Sequence, residues 1–335
     1  MKKSIWLSGF VFVLTIGLVL SLSLSVQAKM AWKMALGDAP GAAQWEVGKT
    51  FADKMAEYSK GELEVQLFPT SQLGSEQETV QNCRLGTLDF SVVAINNITP
   101  FAPKVGLFTL PYMMLSAEQA KTLAEGPIGE ELVASTIKAA GVRIIAWSYS
   151  GYRVLSNSKR PIKHVKDLKG LTIRVPKNNI MISTYKAWGI NPTPMAWDEV
   201  FTALQQKVID GQDTPLITQY FMKFYEVQKY VTKIRYLFLL EPLIISEKLF
   251  RKQKPEMQEM ILKAGKEASA RSYQFLIEKE GEIEELFKKE GMEISDAADN
   301  EKEWIELATK EVWPKFYKSI GGKEKLDAAL KAIGR

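Results

Sequence analysis

The chain has 335 residues, 46% hydrophobic and 25% charged, with 44 lysines and arginines against 39 acids and a formal charge of +5. Length and balance exclude wholesale disorder and a coiled coil, and leave room for one large domain or two medium ones with substantial cores. Basic and acidic residues alternate (Lys166-Asp167, Glu247-Lys248, Lys266-Glu267), the pattern of solvated helix faces, which excludes a polyanion-binding stripe and with it nucleic acid.

Lys2 and Lys3 precede an apolar run from Ile5 to Leu24, and Val26-Gln27-Ala28 places small residues two apart. This predicts a signal peptide over 1–28, cleavage after Ala28 and a periplasmic protein. An uncleaved anchor is the alternative, because the run approaches the roughly 20 residues that span a bilayer. No cysteine directly follows the cleavage site, so lipid attachment is not expected. Cys83, the only cysteine, lies near Val80, Leu85 and Leu88 and reads as a packed thiol. The only histidine, His164, lies near Lys163 and Lys166 in what reads as a surface loop. One His and one Cys assemble neither a nucleophile with its base nor a His/Cys metal cluster. No catalytic residue, metal or cofactor is expected, although a carboxylate-only metal site stays conceivable.

Past the signal, Ala31–Leu36 reads as a strand. After a turn at Gly37–Gly41, a helix carries Trp45, Val47, Phe51, Met55 and Tyr58, and Leu63–Phe68 is a second strand. Strand, helix, strand predicts a parallel pair with a crossover helix. A helix over 75–85 and a strand over 88–94 follow, with Asn96 and Asn97 just past that strand's end. Helices are predicted near 117–123 and 129–140, then a strand over 142–148. Ser150-Gly151-Tyr152 bends the chain before Arg153–Ser156 extends again, a first crossing between domains. Leu171, Ile173 and Val175 alternate with Thr172 and Arg174, the period of a strand, which Pro176 stops. Helices over 180–188 and from Trp197, the latter with Val200, Leu204 and Val208 on one face, lead to a loop at Asp210–Pro215. The apolar run within 231–246 makes a second crossing, and 255–290 reads as one long helix bracing both domains. Two shorter helices end the chain.

In an α/β sheet, ligands bind just beyond the carboxyl ends of strands. Arg174 is the last side chain but one before such an edge, and its guanidinium fork fits a carboxylate. Pairing with a structural carboxylate such as Asp210 or Glu199 is the competing reading. Arg153 is a second candidate, with a bridge between domains as its other reading, and Trp197 either touches the ligand or is a core residue at a helix start. Asp38, Asn97, Asn178, Asp213 and Glu241 lie near the expected cleft, each able to touch a ligand or to hold an arginine or a turn in place.

Several segments resemble one family: Gly151-Tyr152-Arg153-Val154-Leu155-Ser156-Asn157, Leu171-Thr172-Ile173-Arg174-Val175-Pro176, Asn191-Pro192-Thr193-Pro194-Met195-Ala196-Trp197, Asp210-Gly211-Gln212, Phe68-Pro69-Thr70-Ser71-Gln72-Leu73-Gly74 and Phe224-Tyr225-Glu226-Val227-Gln228-Lys229-Tyr230. They are similar to the periplasmic solute-binding subunits of TRAP transporters, of the dicarboxylate-binding type, and are spread over nearly all of the chain beyond residue 28. The resemblance implies an α/β, two-domain periplasmic-binding-protein-like clamshell with hinge strands and a long domain-spanning helix. It would close on a small organic acid and deliver it to TRAP membrane permease subunits. It also implies that Arg174 makes the main salt bridge to the ligand carboxylate, that Arg153 is a second arginine of the site, and that Trp197 packs on the ligand. The family commonly reads V-D-G-Q-E-N-P, so Thr214 stands where an asparagine amide would bind the carboxylate. The domains are expected at 29–149 with 242–280 and at 150–241 with 281–335, with hinges near 148–152 and 239–243, in a monomer. A carboxylate-sensing subunit and, behind it, a lyase-type enzyme are the other function classes.

Overall fold

The structure is a computed structural model and describes residues 30–335. The expected signal peptide lies outside the described residues. The chain begins with β1 (Met30–Leu36), α1 (Ala43–Tyr58), β2 (Leu63–Phe68), α2 (Glu76–Leu85) and β3 (Phe90–Val92). α3 (Ala117–Glu125), α4 (Pro127–Ala140), β4 (Val142–Asn157), β5 (Ile173–Val175), α5 (Asn179–Ala187) and β6 (Thr193–Pro194) follow. Then come α6 (Val200–Gln205), β7 (Gly211–Pro215), α7 (Leu216–Phe221), β8 (Tyr230–Lys233), β9 (Phe238–Ser246) and α8 (Glu247–Lys252). α9 (Pro255–Lys289), β10 (Glu293–Asp296), α10 (Lys302–Ile320) and α11 (Lys323–Ala332) complete it.

β1 pairs in parallel with β2 and β3, as the strand-helix-strand order predicts. The strands run in the order β2-β1-β3-β9-β4-β7-β5-β6, so a first lobe lies on one side of the β9/β4 pair and a second on the other. This is the two-domain clamshell, and β4 and β9 are its hinge strands. They lie antiparallel from Val142/Ser246 to Tyr152/Phe238, with a register shift between Tyr149 and Gly151. There Gly151 adopts φ +88°, a left-handed conformation that costs a side-chain-bearing residue far more than glycine. The bend read at Ser150-Gly151-Tyr152 is therefore a bulge inside one continuous strand.

α9 has 35 residues and packs along β4. Ser269 and Ser272 accept hydrogen bonds from the Trp147 and Tyr149 backbone N–H groups, at 2.8 and 3.0 Å, so the helix is bonded to the hinge strand as well as packed on it. Ala264, Ala268 and Phe275 are buried along it, as their spacing predicts.

Two expectations are corrected. Asp210–Pro215 is not a loop from Gly211 onward: Gly211–Pro215 is the fully buried strand β7, antiparallel to β4 and parallel to β5. Position in mid-sheet overrides the poor strand propensity of Gly, Asp and Pro. Val208 does not share a buried face with Val200 and Leu204. α6 stops at Gln205, Lys207 takes φ +58°, and Val208 is 58% exposed.

Candidate functional site

α1 starts just beyond the end of β1, and α2 just beyond the end of β2. Their first turns project Gln44 and Glu76 over the sheet edge. From the second lobe, β5 brings Arg174, β4 brings Arg153, β7 brings Thr214, and the turn before α6 brings Trp197. All of these but Gln44, together with Asp38, Ala94, Asn96, Asn97, Pro176, Leu239 and Glu241, line a cavity between the lobes with about 280 Å³ of empty volume, part of it open to solvent. A hollow behind the hinge and a broad groove across Thr99–Lys138 and Lys315–Ser319 are larger, but neither carries the two arginines.

The two arginines differ in kind. Arg153 is buried and its Nε donates to Asp213 Oδ2 at 2.8 Å, while its Nη2 donates to the Asp213 carbonyl. Tyr236 donates to the same carboxylate. Burial opposes the Arg153 charge most strongly, but Asp213, together with Tyr236 and Tyr185, more than offsets it and raises the pKa. Arg174 is equally buried, and its Nε and Nη2 both donate to the Met195 carbonyl, at 3.0 and 2.7 Å. No carboxylate lies within ion-pair reach of it among the described residues. The competing partners are occupied elsewhere: Asp210 pairs with Lys159 at 3.2 Å and Glu199 with Lys177 at 3.7 Å. Burial, and then repulsion from Arg153, push the Arg174 pKa down to about 9. Trp197 covers the guanidinium, its ring centroid 5.6 Å from Cζ. Arg174 is thus a desolvated cation facing a cavity, a state that an anion would relieve.

The opposite wall is acidic. Gln44 Nε2 donates to Glu76 Oε1 at 2.7 Å and to Glu241 Oε1 at 3.0 Å, and its Oε1 accepts the Gly37 and Asp38 N–H groups. Glu76 Oε2 also accepts from Ala94 N at 2.9 Å and from Asn97 Nδ2. Glu241 accepts from Ser150, and Asp38 from Thr218 at 3.2 Å. Burial raises all three carboxyl pKa values. Glu76 adds repulsion that takes Glu241 to about 7, and Glu241 and then Glu76 add to the rise at Asp38.

Of the residues singled out from sequence, Arg174, Arg153, Trp197, Thr214, Asn97, Asp38 and Glu241 meet at this cavity. Two do not line it. Asp213 and Thr214 are successive residues of one strand and take opposite faces: Thr214 faces the cavity, and Asp213 anchors Arg153. Asn178 caps α5, its Oδ1 accepting from Ile180 and Met181, while its Nδ2 donates to the Asn96 carbonyl across the cleft at 3.0 Å. Sequence reasoning missed Gln44, Glu76 and Asn96. For the first two a signal was present. Gln44 precedes Val47, Phe51 and Met55 on one stripe of α1, and Glu76 precedes Val80 and Cys83 on one stripe of α2, so each is a polar residue on a buried face. Burial raises the Cys83 pKa strongly, as befits a packed thiol. Among the described residues no group of three or more His, Cys, Asp or Glu is placed to hold a metal, and no helix is long and apolar enough to cross a membrane.

Residues 39–320 match the family described as bacterial extracellular solute-binding protein, family 7. The 2,3-diketo-L-gulonate-binding periplasmic protein YiaO of Escherichia coli K12 is 32% identical over 246 residues, 73% of this chain and 75% of its own length. A TRAP periplasmic solute-binding protein of Polaromonas sp. JS666, solved with bound D-erythronate, superposes with a TM-score of 0.86 at 28% identity, covering 90% of this chain and 98% of that one. A TRAP solute-binding protein of Rhodobacter sphaeroides, solved in an open form without ligand, is 37% identical yet reaches only 0.74, over 91% and 99% of the two chains.

Proposed function

The chain belongs to the bacterial extracellular solute-binding proteins of family 7, the solute-binding proteins of TRAP transporters, and from that premise we propose that its cleft captures a small organic acid through Arg174 and hands it to a membrane permease. The observation that carries this reading is the Arg174 guanidinium, buried at the cavity without a counter-ion while Arg153 beside it is neutralised by Asp213. A ligand carboxylate supplies the missing charge, with Trp197 packed over the pair and the Thr214 hydroxyl as a further donor. Arg153 acts as a fixed wall of the same pocket. The acids bound by two relatives, 2,3-diketo-L-gulonate and D-erythronate, each carry a single carboxylate, which one unpaired guanidinium can take.

In this reading 29–149 with 242–280 and 150–241 with 281–335 are the two rigid bodies, and β4 and β9 bend between them. The protein acts as a periplasmic monomer, exported by residues 1–28, and binds without turnover. Calorimetric titration of the acid retained on purification tests it with wild type, Arg174→Lys and Arg174→Ala. Leaving a buried anion unpaired costs on the order of 2–5 kcal/mol, so Arg174→Ala is expected to weaken binding roughly thirty-fold to a few thousand-fold. Arg174→Lys recovers part of this, since an ammonium offers a point charge in place of a fork. A folded Arg174→Ala that binds within a few-fold of wild type would sink the mechanism.

A further inference from the structure

Asn96 lines the same cavity as Arg174, is fully buried, and has no hydrogen-bond partner at either its side-chain oxygen or its nitrogen. Its backbone is already fixed, in the short turn Ile95–Asn97 and by the hydrogen bond from Asn178 to its carbonyl. The neighbouring Asn97 spends its amide on Glu76 and Gln77, so the turn does not need the Asn96 amide. A buried amide with both ends unpaired loses the hydrogen bonds that water would give it, and native proteins rarely leave such a group without a purpose.

The chemistry of the amide narrows what would complete it. Asn96 presents one acceptor atom beside one donor atom. A hydroxyl both gives and accepts, whereas a carboxylate only accepts and would leave Oδ1 unpaired. Two hydroxyls on adjacent carbons satisfy both ends at once, one donating to Oδ1 and the other accepting from Nδ2. Asp38, Glu76 and Glu241 line the rest of that side, and they offer a second carboxylate no positive partner while exchanging hydrogen bonds with further hydroxyls. We propose that Asn96 reads a pair of neighbouring hydroxyls on the chain of the acid whose carboxylate rests on Arg174, and so selects polyhydroxy monocarboxylates over unsubstituted acids and dicarboxylates. This rests on the carboxylate reading of Arg174 and extends it to the other end of the ligand.

The test is calorimetric titration of wild type, Asn96→Ala, Asn96→Asp and Arg174→Ala with D-erythronate, L-galactonate, 2-hydroxybutanoate, butanoate and succinate. In wild type the tighter of the two polyhydroxy acids is expected to exceed butanoate and succinate by about a hundredfold, with 2-hydroxybutanoate between. Asn96→Ala is expected to weaken that polyhydroxy acid by about ten- to a hundredfold and butanoate by less than about threefold. Asn96→Asp, which keeps an acceptor but loses the donor and adds charge, should bind more weakly still. An equal loss for butanoate, an unchanged affinity in Asn96→Ala, or wild type that binds succinate or butanoate as tightly as both polyhydroxy acids would overturn the proposal. Arg174→Ala separates the two readings: retained binding there defeats the carboxylate mechanism, whereas loss there with intact binding in Asn96→Ala defeats the Asn96 role alone. Thermal melts check folding, and if Asn96→Ala does not fold, the wild-type series from butanoate through one hydroxyl to several decides by itself.

Discussion

Glu241 is held between two donors, Gln44 at 3.0 Å and the Ser150 hydroxyl, yet burial and the charge on Glu76 still raise its pKa to about 7. A glutamate in the unfolded chain titrates at about 4.3. Between these values the native state binds more protons than the unfolded one, so stability falls as pH rises through the window and stays lower above it. Glu241→Gln keeps an acceptor for Gln44 and removes the titration. It is expected to gain about 1–3 kcal/mol over wild type at pH 8 and little at pH 4.5. Urea melts at both pH values measure this, and the same difference at each would contradict it. The lesson about legibility at single positions follows from this cluster. Arg174 was readable because a strand period and a following proline placed it at an edge, whereas the wall facing it depended on which helix faces are buried. The stripes of α1 and α2 would have exposed Gln44 and Glu76. Nothing in the sequence separates Asn96 from Asn97, because a single turn of backbone decides which amide is spent internally.

Long periodic elements were the easiest to read. α9 was expected over 255–290 and spans Pro255–Lys289, since its apolar spacing is uninterrupted and no proline follows its first turn. β7 was the failure, because its residues are those of turns and only its pairing with β4 and β5 makes it a strand. The reading of Arg174 as an edge residue survived that error, as it depended on β5 alone. Two glycines in α9 make the helix's docking testable. A Cβ at Gly265 would lie 2.0 Å from the Ile145 carbonyl oxygen, so the helix can approach β4 this closely only without a side chain there. At Gly281 nothing lies within 4 Å. Gly265→Ala is therefore expected to lose about 1–3 kcal/mol or more through forced separation of helix and hinge strand. Gly281→Ala, which only improves helix propensity, should gain about 0.5–1 kcal/mol. Denaturant midpoints of the two variants decide it, and equal signs would mean that the close contact of α9 on β4 does not hold in solution.

Closure is the property of the whole molecule. Across the mouth of the cleft, Gln77 Nε2 donates to the Lys177 carbonyl at 3.1 Å, Asn178 Nδ2 to the Asn96 carbonyl at 3.0 Å, and Thr218 to Asp38 at 3.2 Å. The lobes are therefore in contact, and the better superposition on a ligand-bound relative than on a more similar open one gives the same arrangement. Each such bond is worth only about 0.5–1.5 kcal/mol net, because an open cleft returns the same groups to water. Against them stands the burial of Arg174 without a counter-ion and of three carboxyl groups, which together cost several kcal/mol. On the mechanism proposed above, the balance is expected to favour opening at β4 and β9 without an anion and the closed form with one, a shift set by the ligand's differential affinity for the two states. Small-angle scattering should give a radius of gyration near 19 Å with saturating acid, as for a compact chain of this size, and a larger value without it. Arg174→Ala at the same acid concentration should keep the larger value, since the anion then no longer discriminates between the forms. Indistinguishable scattering from ligand-free and ligand-saturated wild type would show that the desolvated guanidinium does not drive the motion.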